Sequence, residues 1–159
     1  MSIPEKLARF LDHRIPYVTE TNDKTFQPQE ATQALCGARE AFAKPVIVNV
    51  DGRIVMAVVP ATEGVDLKRL RACLGAARVR LAMEWEFRHL FSDCEDGAMP
   101  IFGSVYGVPV LVAHELTDSE EIAFIAGTPR EIVRVRVRDF LLTEKPCVCP
   151  REAILAKAS

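Results

Sequence analysis

Residues 44–59 constrain the fold more than any other part of this chain. Lys44-Pro45-Val46-Ile47-Val48-Asn49-Val50 and Arg53-Ile54-Val55-Met56-Ala57-Val58-Val59 are apolar, β-branched runs separated only by Asp51-Gly52. An Asp-Gly pair between two such runs adopts the positive φ values of a tight two-residue turn, so the spacing predicts an antiparallel hairpin. Pro60 closes its second strand. A hairpin this apolar needs cover, and the flanking sequence supplies helices.

Residues 3–13 place Ile3, Leu7, Phe10 and Leu11 at helical spacing. Residues 14–20 read as a short strand, with Pro16 suited to an edge or a strand start. Pro28 opens a second helix that runs to about Leu35 and ends near Gly37. Residues 65–74 are helical up to a stop at Gly75, and residues 82–91 are helical again. Residues 108–113 and 121–126 predict buried strands, the second stopped by Gly127. In 130–138, Val133, Val135 and Val137 alternate with Arg134, Arg136 and Arg138, a half-exposed strand whose basic face reads as solvated, with a tRNA footprint as the lesser alternative. Met56, Met83 and Trp85 are assigned to the core, and residues 146–159 to a tail or short terminal helix. The sum is one mixed α/β (α+β) domain over residues 1–159, with a mixed, largely antiparallel sheet surrounded by helices.

Composition narrows the function classes. With 159 residues, 49% hydrophobic and 26% charged, the chain can bury a sizeable core. A net charge of −2 and a pI near 5.9 give no global signature of a nucleic-acid binder, so any RNA contact must be local. No apolar run is long enough to span a membrane, and the first residues lack the apolar stretch of a signal peptide. The expectation is a cytoplasmic protein without a membrane partner. Cys36, Cys73, Cys94, Cys147 and Cys149 form an odd, scattered set, and Cys147-Val148-Cys149 lacks the spacing and companions of a zinc site. His13, His89 and His114 are too dispersed to suggest a triad, and Cys94 has no visible base. No metal and no cofactor are expected.

Two features carry chemistry. Gly97-Ala98-Met99-Pro100-Ile101-Phe102-Gly103 is a loop in which glycines expose backbone and Pro100 limits flexibility. Such a loop can aim N–H groups at a ligand. Lys44 stands at the head of the apolar hairpin, where its ammonium can sit over a pocket. Alone, a lysine before a strand is a solvated charge and a Gly–Pro loop is a connection. The densest basic stretch, Lys68, Arg69 and Arg71 followed by Arg78 and Arg80, is the better candidate for RNA phosphates.

The order of these elements resembles the YbaK/EbsC-type aminoacyl-tRNA deacylases, the group that includes the editing insertion of bacterial prolyl-tRNA synthetase. The resemblance is carried by Ala43-Lys44-Pro45-Val46-Ile47, by Val58-Val59-Pro60 with Val65-Asp66-Leu67, and by the loop from Cys94 to Gly103. Val108-Pro109-Val110 and Ile125-Ala126-Gly127-Thr128 add to it, so that it extends from Ile3 to Phe140. It implies hydrolysis, in trans, of the ester between a wrong, small amino acid and tRNA. The implied partners are mischarged aminoacyl-tRNA and an aminoacyl-tRNA synthetase.

The same resemblance implies catalytic roles for Lys44, Gly97, Ala98, Met99 and Pro100. It implies substrate contacts for Ile101, Phe102, Gly103, Gly127 and Thr128. Ile101 stands where family members often carry a second proline, which reshapes the amino-acid pocket. Thr21-Asn22-Asp23-Lys24 stands where many carry a histidine, so no role is borrowed from that residue. Two alternatives belong to other classes: a catalytically silent module that binds tRNA or a small ligand, and an interaction protein that pairs through a sheet edge. Neither the amino acid, the tRNA nor the oligomeric state is legible.

Overall fold

A computed structural model describes residues 3–21 and 39–157. The expected helix from Pro28 to Leu35, Cys36, and the Asn22-Asp23-Lys24 run lie outside the described residues.

The predicted hairpin organises the molecule. Strand β2 (Glu40–Val50) and β3 (Arg53–Pro60) pair antiparallel from Ala43↔Pro60 to Val50↔Arg53. Asp51 and Gly52 take φ of 51° and 88°, and the Gly52 N–H donates to Asn49 Oδ1 at 2.8 Å. Both central residues are therefore left-handed, as a turn matching the strand twist requires.

The hairpin sits inside an eight-stranded mixed sheet. Its main path begins with β1 (Val18–Thr21), β8 (Thr128–Arg136) and β7 (Glu121–Ala126), continues through β2 and β3, and ends with β6 (Val110–Ala113) and β9 (Cys147–Cys149). A further strand, β5 (Val79–Leu81), pairs with β2 off this path. Short strands β4 (Glu63–Val65) and β10 (Leu155–Lys157) form a separate pair. Pairings β1–β8, β7–β8, β2–β3 and β2–β5 are antiparallel, whereas β2–β7, β3–β6 and β6–β9 are parallel.

Each face of the sheet has its own core. Ala43, Ile47, Met56 and Val58 face a cluster that includes Leu7 and Leu11 of α1 (Glu5–Asp12), Phe102, Phe124 and Phe140. Val48, Ala57 and Val59 face the opposite way, onto Leu70 of α2 (Leu67–Leu74) and onto Ile154 and Leu155. Asp66 caps α2 by accepting from the Arg69 N–H, and Gly75 ends it at φ 65°. On this second face a smaller cluster gathers Phe42, Ala61, Ala98, Ala123, Ile125 and Ile132.

Several expectations need correction. The helix expected over 82–91 is one turn, α3 (Glu84–Phe87), followed by a 3₁₀ turn at Arg88–Phe91. Its N-terminal neighbour forms β5 instead. Only Met56 of the three expected core residues is buried: Met83 and Trp85 are 57% and 74% exposed. The basic strand face does not exist as a stripe. Arg134 is mostly buried against Glu20 and Glu40, and the strand ends at Arg136, so that Arg138 belongs to helix α4 (Val137–Glu144). The C-terminal segment is no loose tail, because β9 joins the sheet edge and α5 (Arg151–Ile154) leads into β10.

Candidate active site

The sheet forks at Lys44. Strand β2 pairs with β7 only over Glu40–Phe42 and with β5 only over Val48–Val50. Between them, residues 43–47 have no strand partner on that edge among the described residues. Pro45 lies in this opening, where its missing N–H costs no ladder hydrogen bond. Divergence of neighbouring strands opens a crevice in a mixed sheet, and ligand sites favour such places.

Lys44 stands just past the split, paired with Val59 across the hairpin. Alternation along β2 puts its side chain on the same face as Phe42 and Val46, between the Phe42–Ala98 cluster and the α2 core. The side chain is half-buried, and this desolvation lowers its pKa from the usual lysine value; the negative charge of Glu63 opposes the shift. Glu63 in turn is held by Arg151, 3.4 Å away, which also pairs with Glu115. An ammonium so placed is poorly hydrated and interacts strongly with any anionic or carbonyl oxygen nearby.

The other wall of the fork comes from the end of β7. Beyond Ala126 the chain turns at Gly127, φ 89°, before entering β8. Gly127 binds the loop twice: its N–H donates to the Ala98 carbonyl at 2.7 Å, and its carbonyl accepts from the Glu95 N–H at 2.8 Å. The Ala98 N–H closes a tight turn onto the Glu95 carbonyl at 3.0 Å, with Gly97 at φ 79°. Ala98 itself is fully buried in the cluster with Phe42 and Ile132. Ala98 thus packs in the cluster that contains Phe42, two residues from Lys44 on β2. The amides of Gly97 and Met99 have no acceptor among the described residues. Thr128 begins β8, its hydroxyl accepting from the Arg130 N–H at 3.2 Å.

Not all of the loop shares this face. Ile101 and Phe102 are fully buried with Phe124 and Phe140 in the core across the sheet from Lys44. Gly103 is buried beside them: a Cβ there would lie 2.4 Å from the Val108 carbonyl oxygen. Their surroundings are those of packing residues, and Pro100 is likewise buried. Met99 remains partly exposed and lines a cavity of about 20 Å³ with Phe87, Phe91, Cys94 and Gly97. Burial pushes the Cys94 thiol up to about 12, and its sulfur lies 3.6 Å from the Tyr106 hydroxyl. A thiol this reluctant to ionise is no nucleophile at neutral pH.

Lys68 is exposed on α2, Arg69 pairs with Asp66 at 3.6 Å, and Arg71 makes no ion pair among the described residues. Glu63, Phe42 and Ala61 escaped the sequence reading. Phe42 was within reach of it, being two residues from Lys44 on one strand face; the Glu63 contact depends on strands β3 and β4 meeting.

Comparison with known proteins decides the family. The model of the aminoacyl-tRNA editing domain matches residues 23–142. This chain belongs to the aminoacyl-tRNA editing domain family. No curated protein matches its sequence significantly. Solved structures share the editing-domain fold. A proposed trans-editing enzyme for prolyl tRNA synthetase aligns with a TM-score of 0.78 at 21% identity, covering 98% of this chain and 97% of that one. A hypothetical protein aligns at 0.79 and 18% identity over 96% and 100%. A proposed signal transduction protein from Marinobacter aquaeolei VT8 aligns at 0.73 and 17%, covering 98% of this chain and 31% of the other. No described helix of this editing domain is long and apolar enough to cross a membrane.

Proposed function

We propose that this editing domain is a trans-acting aminoacyl-tRNA deacylase, cleaving the ester that joins a mischarged small amino acid to tRNA in the cytoplasm. The observation that carries this reading is the fork: Lys44 on one side, the Gly97–Ala98 turn tied to Gly127 on the other. An aminoacyl ester is already activated, so the site need only hold it, exclude competing geometries and stabilise charge on the carbonyl oxygen. The free amides of Gly97 and Met99 are the donors suited to that oxygen. Lys44 adds a fixed positive charge for the developing oxyanion or for the phosphate next to the ester.

A water molecule adds to the carbonyl carbon, the carbon–oxygen bond to the ribose breaks, and the ribose oxygen takes up a proton. No side-chain nucleophile takes part. Phe42, Ala61, Ile125 and Ile132 pack into a buried apolar cluster on the Lys44 face of the sheet, so this face favours a small, apolar amino-acid side chain. Such a second sieve compensates for the limited discrimination of one methylene by binding, about 1–3 kcal/mol.

Hydrolysis of a panel of mischarged tRNAs tests the reading. Ala, Ser or Cys esters should turn over at catalytic enzyme, and Lys44→Ala should lose most of this activity. Binding of the same tRNAs without turnover would instead identify a silent module.

A further inference from the structure

Three of the large exposed apolar residues among the described residues lie together. Leu81, Met83 and Trp85 are 55%, 57% and 74% exposed and follow one another at every second position. Trp85 is the only tryptophan in the sequence. An indole buries a large apolar area when it finds a partner, so leaving one in water marks a surface awaiting contact.

This indole is held in place. Its neighbour Glu86 accepts from Asn49 Nδ2 at 3.0 Å and from the Met83 N–H at 2.6 Å, and takes both terminal nitrogens of Arg80 at 2.7 Å. These bonds fasten α3 to the ends of β2 and β5. Trp85 projects from a fixed turn.

Arg80 also lines an open cleft of about 720 Å³ with Asn49, Gly52, Arg71 and Arg78. The one carboxylate in the cleft, Asp51, is occupied by the backbone N–H groups of Ala77 and Arg78, at 3.2 and 2.8 Å. The guanidiniums of Arg71 and Arg78 form no ion pair among the described residues. The cleft is linked to the exposed aromatic through Arg80, which lines it and binds Glu86 next to Trp85, on a protein whose net charge is −2. Arginines without an ion pair among the described residues, together with an exposed indole, suit a nucleic-acid strand, with phosphates in the cleft and a base stacked on the ring. A protein partner would be met by a wider apolar area with fewer free charges.

We infer that Trp85, with Arg71 and Arg78, forms an RNA-binding surface that holds the unpaired end of the tRNA substrate or the base pair next to it. This rests on the deacylase reading for the identity of the RNA. The spacing agrees with it, since Asn49 at the cleft lies five residues beyond Lys44, roughly 16 Å along the strand at about 3.3 Å per residue.

The sole tryptophan makes the test direct. Emission from Trp85 is followed while the intact protein is titrated with an uncharged RNA hairpin bearing a single-stranded 3′ end, and with a single-stranded RNA. Stacking should quench the emission. Binding measured by filter retention should weaken about tenfold in Trp85→Ala, and Trp85→Phe should recover part of the loss. Arg71→Ala and Arg78→Ala should each lower the salt dependence of binding by about one ion. With mischarged tRNA, Trp85→Ala should raise KM and leave kcat unchanged. Because Trp85 is exposed, its replacement leaves the fold intact, which a thermal melt verifies.

Wild-type emission that RNA leaves unchanged, or an affinity for RNA that Trp85→Ala leaves unchanged, would overturn the proposal. So would a wild-type dimer that Trp85→Ala dissociates, since the surface would then meet a second copy. Quenching without turnover would refute the deacylase reading alone, and turnover without quenching would refute the surface alone.

Discussion

Gly127 and Ala98 are joined by a 2.7 Å hydrogen bond that ties the end of one sheet strand to the Gly97–Ala98 turn. The bond holds the Gly97–Ala98 turn against the end of β7, on one side of the fork. It also explains why glycine is required at 127: φ is 89°, and a Cβ would stand 2.6 Å from Pro4 Cδ. The buried ring of Pro4 leads directly into α1.

Gly127→Ala therefore combines backbone strain with a collision against a ring that cannot rotate away. A loss of about 2–4 kcal/mol in stability is expected, from strain of about 1–3 kcal/mol and the displacement of Pro4. Denaturant titration measures it. Deacylation per folded molecule should fall as well, because the Ala98 turn loses its anchor; unaltered specific activity would separate Gly127 from the site.

Gly97→Val isolates the loop from packing. A Cβ at Gly97 meets nothing within 4 Å, so the cost comes from φ 79° alone, about 1–3 kcal/mol for a β-branched residue. If the Gly97 and Met99 amides stabilise the oxyanion, turnover should drop by more than the folded fraction does. Thermal melts and single-turnover hydrolysis on one preparation compare the two. Activity that tracks the folded fraction would make the turn structural only.

Lys44→Ala should reduce the catalytic rate by about ten- to a thousandfold with the melting temperature little changed, since only a half-buried ammonium is removed. The charge also gives a pH signature. Burial lowers the Lys44 pKa, so activity that needs the ammonium declines at a lower pH than for an ordinary lysine. Glu63 raises that pKa, and Glu63→Gln should move the alkaline limb to lower pH still. A pH profile corrected for spontaneous ester hydrolysis reads the shift. An upward shift, or none, would remove Glu63 from the electrostatics of the site.

Cys94→Ala should retain full deacylase activity, and the wild-type thiol should resist alkylation at neutral pH, because burial holds its pKa near 12. Inactivation by stoichiometric alkylation of Cys94 would contradict both statements.

Glu86 should respond to acid. Its hydrogen bonds to Arg80, first, and then to the Met83 N–H hold its pKa at about 2, below the ordinary 4.5. A depressed carboxylate contributes stability above the unfolded value, and the contribution disappears as pH falls through the folded value. The anchoring of α3 should hold at neutral pH, weaken below about 4.5 and be lost near 2. Trp85 emission during an acid titration, compared with Glu86→Gln, reports it.

Local sequence by itself determined the hairpin, its Asp51-Gly52 turn, the Gly75 stop, the strand ending at Gly127 and the α+β class. Each rests on short-range sterics or on apolar periodicity, which neighbouring residues fix together. Lys44 and the Gly97 turn were singled out from the sequence as candidates for the chemistry.

Only the tertiary structure decided which of them meet. The fork at Lys44 arises because β7 and β5 pair with opposite ends of β2, a choice made by residues about 80 and 30 positions away. The division of the glycine–proline loop was equally hidden: Ala98 packs on the Lys44 face, whereas Ile101 and Phe102 pass to the opposite core. Trp85 and Met83 read as core because hydrophobicity favours burial, yet Glu86 pins their turn outward through Asn49 and Arg80. Arg134 shows the converse, reading as solvated until Glu20 and Glu40 enclose it. Hydrophobic pattern sets which segments become strands and helices. Which face each finally presents depends on partners distant in the chain, and no local pattern encodes their arrival.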